Sequence, residues 1–397
     1  MVAKKIKNIM EASLAIREMF EEGRKLAALH GPENVCDFSL GNPSIPAPEA
    51  VNQYIVDIVQ QEKSTVVHGY MNNAGYEDAR TTIAESLNRK FGTGFAAKNI
   101  VMTVGAAGGL NVILKTLLNP EDEVVVFAPY FVEYRLYADN HGGKTVVVPP
   151  RMVDFQPNLE EFEKNLTSKT KAVIVNSPNN PTGVVYSEET IKKIAEILRK
   201  AQQAFGTNIY LVADEPYREL AYDGVHVPYI PLYYENTIVG YSYSKSLSLP
   251  GERIGYLVIP SEAADFENLV EGAALANRML GFVNAPSLMQ RVVARCAELE
   301  SDVSAYNRNR ETLYQGLCEA GYTCVKPQGA FYLFVKSPLE DDRAFCALAK
   351  KHHVLIVPGS VFACPGYVRI AYCGAHEAIV KALPKFKKML AEAKEQI

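Results

Sequence analysis

Short apolar runs rich in β-branched residues recur along this chain, each separated from the next by a stretch with helical periodicity. Most of these runs are apolar throughout, which is typical of strands covered on both faces. The seven clearest runs are Val101–Val104, Val124–Phe127, Thr145–Val148, Ala172–Val175, Ile209–Ala213, Ile238–Tyr241 and Tyr256–Ile259. Strands and helices in repeated succession predict an α/β fold with a mainly parallel, seven-stranded sheet sandwiched by helices.

The helical pattern is clearest over Leu110–Leu118 and Glu188–Phe205, the second with Ser187 as its predicted N-cap. The pattern changes beyond about Ala285. There the sequence predicts one long helix over Leu288–Gly321, an aromatic strand over Ala330–Val335 and a shorter helix over Arg343–His352. Two short strands and a closing basic helix follow them. Together with an N-terminal helix up to Leu29, these elements predict a smaller α+β domain over residues 1–45 and 301–397. The large domain is predicted over residues 46–300.

Composition narrows the possible partners and the compartment. With 41 basic and 45 acidic residues among 397 and no polybasic run, the chain gives little electrostatic support to a nucleic-acid or membrane partner. The seven cysteines form no CxxC pair, which predicts free thiols in a reducing compartment and no zinc site. No apolar stretch follows the first lysines, so we expect no signal peptide and a cytoplasmic protein.

Polar residues gather where four of the predicted strands end. The four segments that follow these strands are Gly105–Gly109, Asn176–Gly183, Asp214–Tyr217 and Ser242–Lys245. Sheets of this kind bind ligands at the carboxyl ends of their strands. The sequence therefore predicts a site that contains a lysine, a carboxylate, a tyrosine, an asparagine and exposed amides.

Each of these residues also has an ordinary explanation. Lys245 could be a surface lysine, Asp214 and Asn180 could be turn residues, and the glycines could serve close helix packing. The functional alternative is that the Gly105–Gly109 amides bind a phosphate with Ser242 and Arg253, and that Lys245 is a desolvated amine nucleophile. Asp214 would then pair with a protonated ring nitrogen. Chance does not explain why all four segments follow strands.

The motifs resemble those of the class I, fold type I aminotransferases, the aspartate aminotransferase superfamily, which depend on pyridoxal phosphate. Ser242–Gly255, SYSKSLSLPGERIG, is similar to the family's SxSKxxxxxxxRxG segment around the cofactor lysine. Asn180–Gly183 is similar to the NPTG motif and Asp214–Tyr217 to the DxxY motif, in the family's order. Arg369 matches the family's C-terminal arginine. The likeness extends from about Phe38 to the C-terminus.

The resemblance implies a role for each matched residue. Lys245 would bind pyridoxal phosphate covalently and then move the substrate's α-proton, while Asp214 would keep the pyridine nitrogen protonated. Arg369 would bind the substrate α-carboxylate, with Asn180 and the backbone of Gly41 beside it. The remaining implied cofactor contacts are ring-oxygen bonds from Tyr217 and Asn180, phosphate contacts from Ser242, Arg253, Ala106 and Ala107, and ring stacking by Phe131, with Tyr130 as the alternative.

The resemblance also implies a homodimer, in which Tyr70 reaches the phosphate of the neighbouring site. The reaction implied is transfer of the α-amino group of an L-amino acid to a 2-oxo acid by a ping-pong mechanism. At two positions the sequence departs from the family pattern, so the resemblance does not identify the substrate. Ala107 stands where many relatives have Thr, Ser or Lys, and Arg278 lies one residue before the position of a dicarboxylate-binding arginine, which Met279 occupies. We expect Tyr130, Tyr134, Ile45 and Phe331 to line an aromatic pocket.

Other functions remain open at this point. A pyridoxal-phosphate-dependent C–S β-lyase of the same fold would share these motifs. An aromatic or neutral amino acid aminotransferase would share them as well. If the enzyme acts on dicarboxylates, aspartate and 2-oxoglutarate are the candidate substrates. A cofactor-binding transcriptional regulator would need a DNA-binding module, for which the sequence shows no basic recognition helix. A nicotinamide dehydrogenase would need a GxGxxG spacing that Gly105–Gly109 does not have.

Overall fold

A computed structural model describes residues 2–12, 23, 25–299 and 301–396. The strands of this part are β1 (Cys36–Asp37), β2 (Ile100–Thr103), β3 (Glu123–Phe127), β4 (Lys144–Val148), β5 (Thr170–Asn176), β6 (Tyr210–Asp214), β7 (Thr237–Ser242), β8 (Gly255–Val258), β9 (Tyr332–Lys336), β10 (Val354–Leu355), β11 (Val357–Pro358) and β12 (Tyr367–Ala371). The seven predicted runs all become strands, each with boundaries within two residues of the prediction.

Seven strands form one sheet in the order β2-β8-β7-β6-β5-β3-β4. Strand β8 is antiparallel to both of its neighbours, β2 and β7, while the other pairings are parallel. The mainly parallel seven-stranded sheet predicted from the sequence is therefore confirmed. Because β5, β6 and β7 are parallel neighbours, the residues that follow them emerge along one edge of the sheet.

Helices connect and cover these strands. They are α1 (Lys4–Ala12), α2 (Glu49–Gln61), α3 (Ser64–Val67), α4 (Glu77–Phe91), α5 (Gly105–Leu117), α6 (Glu133–Asn140), α7 (Leu159–Lys164), α8 (Glu188–Phe205), α9 (Tyr243–Ser246), α10 (Phe266–Met279), α11 (Ser287–Arg295), α12 (Ser304–Ala320), α13 (Asp342–Lys351) and α14 (His376–Lys394). The predicted N-cap of α8 is confirmed, because the Ser187 side chain accepts a hydrogen bond from the Thr190 amide. Helix α8 ends at Gly206 in the left-handed region.

The large sheet has an apolar cluster on each face. Alternate residues of β5 show this, since Val173 and Val175 belong to one cluster and Ala172 and Ile174 to the other. Helices therefore cover both faces of the inner strands, as predicted. Strand β4 is the exception: as the edge strand it buries only Val148 fully, so the prediction of two covered faces is wrong there.

A third apolar cluster lies around a second, smaller sheet of order β11-β12-β9, whose pairs are antiparallel. Leu333 and Val335 of β9 belong to this cluster, with Leu313 of α12 and Phe386 of α14. Strand β1, from the N-terminal part, pairs in parallel with β10. The N-terminal and C-terminal segments thus meet, although the predicted domain boundaries stay a prediction.

Two other expectations need correction. The long helix predicted over Leu288–Gly321 is two helices, α11 and α12, because the Asp302 side chain accepts from the Ser304 amide and starts a new helix. The glycines of Gly105–Gly109 lie within the first turns of α5 and do not form a preceding loop.

The N-terminal helix predicted up to Leu29 is described only over Lys4–Ala12 and in part of residues 23–30; the rest of that prediction lies outside the described residues. No helix in the described ranges has the length and apolar composition needed to span a membrane.

Candidate active site

A cavity of about 430 Å³ opens where the carboxyl edge of the large sheet faces β12 and the segment around Gly41. Its walls include the ends of β5, β6 and β7 and the first turn of α5. This is the edge at which parallel sheets of this type bind ligands. The predicted convergence of the four strand-end segments is observed.

Asp214, the last residue of β6, is buried with one carboxylate oxygen unused. The Tyr134 hydroxyl donates to Oδ2 at 2.5 Å, while Oδ1 is buried and has no hydrogen-bond partner among the described residues. The strand end is held in register by Asn176, whose amide donates to the Asp214 carbonyl at 2.8 Å. Burial raises the pKa of Asp214 from 3.8 to about 7, against the opposing effect of the Tyr134 hydrogen bond. A buried acceptor without a donor is costly unless a ligand supplies one.

Lys245 lies in α9, the short helix that follows β7, and its amine enters the cavity. The amine donates to the Gly41 carbonyl at 2.6 Å and lies 5.2 Å from the centre of the Phe331 ring. Burial lowers the pKa of Lys245 from 10.5 to about 8, and the positive charges of Arg253 and Arg369 act in the same direction. A substantial fraction of this amine is therefore neutral, and nucleophilic, near neutral pH.

Arg369 of β12 is buried on the opposite wall. Its guanidinium donates to Asn180 Oδ1 at 3.0 Å and to the Ser39 carbonyl at 2.6 Å. The rings of Tyr332 and Phe362 lie against it, with centres 4.7 Å and 4.8 Å from Cζ. Its Nε has no partner among the described residues. Such a fixed, incompletely paired guanidinium is suited to bind a carboxylate.

The end of the cavity at α5 can hold an anion. The first-turn residues Ala106 and Ala107 lie beside Ser242 and Arg253 in its wall, and amides at a helix N-terminus attract negative charge. Gly105 adopts a φ of +70°, and a Cβ there would lie 2.9 Å from Arg253 Nη2. Glycine at this position lets the Arg253 guanidinium lie close to the start of the helix.

Eleven of the twelve predicted site residues line this cavity: Gly41, Ala106, Ala107, Phe131, Asn180, Asp214, Tyr217, Ser242, Lys245, Arg253 and Arg369. The twelfth, Tyr70, is 92% exposed and lies outside it. Arg278 and Met279 are also exposed and outside the cavity of this chain. The contact of Tyr70 with the neighbouring subunit's phosphate therefore stays a prediction, as does the binding of a second carboxylate by Arg278.

The predicted aromatic pocket is only partly correct. Tyr134 lines the cavity, but Tyr130, Ile45 and Phe331 do not. Phe331 is fully buried behind the amine of Lys245, and Ile45 borders a separate cavity of about 240 Å³. Of the two candidates for ring stacking, Phe131 lines the cavity and Tyr130 does not.

Sequence reasoning missed several contacts in the site. It placed Tyr134 in the pocket but not on the Asp214 carboxylate, and it did not identify Tyr332 or Phe362 beside Arg369. Tyr332 also forms a hydrogen bond of 2.9 Å with the Tyr217 hydroxyl. The alternation of β9 could have shown that Tyr332 shares a face with Phe334, but not that this face is turned toward Tyr217.

Comparisons with known proteins point to one family. The model of the family described as aminotransferase class I and II matches residues 33–385. An aspartate aminotransferase of Thermotoga maritima is 30% identical, over 93% of this chain and 95% of its own. An aromatic-amino-acid aminotransferase of Thermococcus litoralis is 32% identical, over 94% and 96%. The crystal structure of an amino transferase from Eubacterium rectale is 47% identical, covers 99% of both chains and superposes with a TM-score of 0.95. With the site geometry and these matches together, the chain belongs to the class I and II aminotransferase family and is an aminotransferase.

Proposed function

We propose that this enzyme binds pyridoxal phosphate on Lys245 and transfers the α-amino group of an L-amino acid to a 2-oxo acid by a ping-pong mechanism. The observation that carries the proposal is the buried, unpartnered Oδ1 of Asp214 in the same cavity as the Lys245 amine and the Arg369 guanidinium. A protonated ring nitrogen, an aldehyde and a substrate carboxylate would satisfy these three groups in turn.

The residues present fit this cofactor along the length of the cavity. Asp214 offers an acceptor for the ring nitrogen, and Phe131 offers a ring face. At the far end, the amides of Ala106 and Ala107 with Ser242 and Arg253 can hold a phosphate. A volume of about 430 Å³ is within the range of cofactor sites.

The bound cofactor would supply an electron sink for the carbanion left when the α-proton is removed. This chain's residues do the rest. The Lys245 amine, with its pKa lowered by burial to about 8, would hold the cofactor and would then take and return the α-proton. The Gly41 carbonyl holds that amine in place. Arg369 fixes the substrate carboxylate, so that the α-carbon faces Lys245.

The amino donor is the open part of the proposal. Similarity to aspartate and aromatic aminotransferases makes both substrate classes candidates. Besides Lys245, Arg253 and Arg369, the cavity wall of the described chain carries no cation that could bind a second carboxylate. Within one subunit this favours aromatic and neutral donors, and aspartate would require Arg278 or another cation from a partner.

A homodimer is part of the same proposal. Tyr70 is 92% exposed in the single chain, and several apolar side chains are exposed as well: Val56, Val59, Leu275 and Met279. A second copy of the chain that packed over these side chains would remove them from water.

We further propose that the chain divides into a large domain, residues 46–300, and a small domain, residues 1–45 and 301–397, because the small sheet has an apolar cluster of its own.

We also propose a cytoplasmic location, because none of the seven cysteines, all of which the structure describes, forms a disulfide bond.

The direct test is to load the protein with pyridoxal phosphate, reduce with borohydride and map the modified peptide. We expect the label on Lys245 and its loss in Lys245→Ala, whereas Lys192→Ala, a change at an exposed lysine in α8, should keep it. A screen of amino acids for conversion of the cofactor to its amine form identifies the donor. Release of ammonia and pyruvate from a sulfur-containing amino acid, with no 2-oxo acid added as acceptor, would instead identify a C–S β-lyase. Label on any lysine other than Lys245 would refute the proposal.

A further inference from the structure

Tyr332, the first residue of β9, touches Arg369 and Gly41, to which the proposed function gives a role, and Tyr217, to which the family resemblance gives one. It is buried, its hydroxyl reaches Tyr217, its ring lies on the Arg369 guanidinium, and its hydroxyl fills the space beside Gly41. Phe331, the residue before it, also packs on Tyr217 and Lys245, but its ring has no hydroxyl group to donate.

The hydroxyl groups of Tyr332 and Tyr217 form a pair at 2.9 Å in which either oxygen can donate. Each phenol has one hydrogen to give. If Tyr217 gives its hydrogen to an acceptor in the cavity, its oxygen needs a donor, and Tyr332 is the group in position. The charged and titratable groups that face the pair are Arg369, Cys373 and Asp214. Of these, Arg369 has a positive charge that favours negative charge on the oxygens.

The ring of Tyr332 has a different contact. Strands β9 and β12 pair so that Ala371 lies opposite Tyr332 and Arg369 opposite Phe334, which puts Tyr332 and Arg369 on one face as diagonal neighbours. The guanidinium is held between the rings of Tyr332 and Phe362, at 4.7 Å and 4.8 Å. The two rings restrict its plane and shield it from water.

Gly41 explains why the phenol can occupy this position. A Cβ on Gly41 would clash with the Tyr332 hydroxyl oxygen, so glycine leaves room for it. The same residue's carbonyl accepts from the Lys245 amine. Tyr332 is thus packed against the backbone that holds the lysine.

We propose that Tyr332 is a positioning residue with two separable functions: its hydroxyl donates to Tyr217 so that Tyr217 can donate to the cofactor ring oxygen, and its ring orients Arg369 for the substrate carboxylate. This inference rests on the proposed function. It predicts that removing the hydroxyl alone changes the ring oxygen's ionisation, while removing the ring also weakens carboxylate binding.

The experiment compares Tyr332→Phe with Tyr332→Leu in protein loaded with pyridoxal phosphate. One readout is the pH midpoint of the cofactor's visible absorption band. A donor to the ring oxygen favours its ionised form, so loss of the Tyr332 hydroxyl should raise this midpoint by about 0.5 to 1 pH unit. The second readout is the dissociation constant of maleate and of 3-phenylpropionate, two carboxylates without an amino group.

We expect Tyr332→Phe to raise the midpoint and to leave carboxylate binding within about twofold. Tyr332→Leu should raise the midpoint equally and weaken carboxylate binding by about 3- to 30-fold, the range of a desolvated cation–ring contact. The matched control is Tyr210→Phe, at the far end of β6, whose hydroxyl bonds the Ala264 carbonyl; it should change neither quantity.

The outcomes separate the two proposals. A visible band with an unshifted midpoint in Tyr332→Phe overturns the role of the hydroxyl, and equal carboxylate weakening in both variants overturns the role of the ring. A wild-type protein that forms no visible band with pyridoxal phosphate overturns the proposed function, and this inference with it.

Discussion

Replacing Asp214 by asparagine should change the stability of the cofactor-free protein in a pH-dependent way that increasingly favours asparagine as the pH rises. The folded protein holds a proton on Asp214 up to a pKa of about 7, whereas the unfolded chain loses it near 3.8. A group with a raised folded pKa makes stability fall as pH rises between the two values. The linkage relation gives a destabilisation of about 1.5 kcal/mol at pH 5 and about 4 kcal/mol at pH 8.

Asparagine has no proton to lose, so the difference in unfolding free energy between Asp214→Asn and wild type should grow by about 2 to 3 kcal/mol from pH 5 to pH 8. A constant effect of burying the amide cancels from this growth, because it contributes equally at pH 5 and at pH 8. The titration of groups common to both proteins cancels as well. Urea denaturation of the cofactor-free proteins at a fixed protein concentration measures it.

The control is Glu163→Gln, which removes a carboxylate from the exposed side of α7 and should show no such growth. A stability difference that stays constant from pH 5 to pH 8 in Asp214→Asn would refute the reasoning, because it would mean that water already solvates this carboxylate. The loaded wild-type enzyme should lose the pH effect, since the protonated ring nitrogen then partners the free oxygen.

Three further predictions concern the other walls of the cavity. Arg369→Gln should lower kcat/KM for α-amino acids by about 10- to 150-fold, the loss of a charged hydrogen-bond pair; steady-state kinetics with two donors checks it, and an effect on one donor only would contradict it. Gly41→Ala should strongly reduce turnover while the cofactor still binds, because its Cβ would clash with the Tyr332 hydroxyl; unchanged kinetics would disprove the close approach. In the cofactor-free protein, the rate at which acetic anhydride acetylates Lys245 should reach half its maximum near pH 8. This midpoint should lie far below that of the exposed Lys192, measured in the same peptide map. Equal midpoints would show that Lys245 is not desolvated.

Sequence pattern was sufficient for the large sheet and for the strand-end residues. The apolar runs that became β5, β6 and β7 are unambiguous because both faces of these strands are buried, and each run stops where its first polar residue reaches the cavity. Asp214 and Lys245 could therefore be placed from local information. β4 was assigned correctly as a strand, but nothing local distinguishes an edge strand from an inner one.

The errors arise where long-range packing decides. The contact between Tyr134 and Asp214 joins residues 80 positions apart, and the contact between Arg369 and Asn180 joins residues 189 apart. The break between α11 and α12 did have a local signal in Asp302 and Ser304, which helix-forming residues such as Ala297 and Glu298 obscured. Phe331 and Tyr332 illustrate the remaining limit: both rings pack on Tyr217, but of the two only Tyr332 lines the cavity, and Phe331 was assigned to it.

The stretch from Phe38 to Gly41 acts on the site through its main chain. The carbonyls of Phe38, Ser39 and Gly41 accept from the Ala371 amide, the Arg369 guanidinium and the Lys245 amine in turn. The exposed side chain at position 40 can therefore change without loss of these bonds, whereas an insertion or deletion of one residue would move all three acceptors at once. Libraries aimed at altering substrate preference should vary Leu40, which is half exposed at the cavity wall, and keep the length of this segment constant.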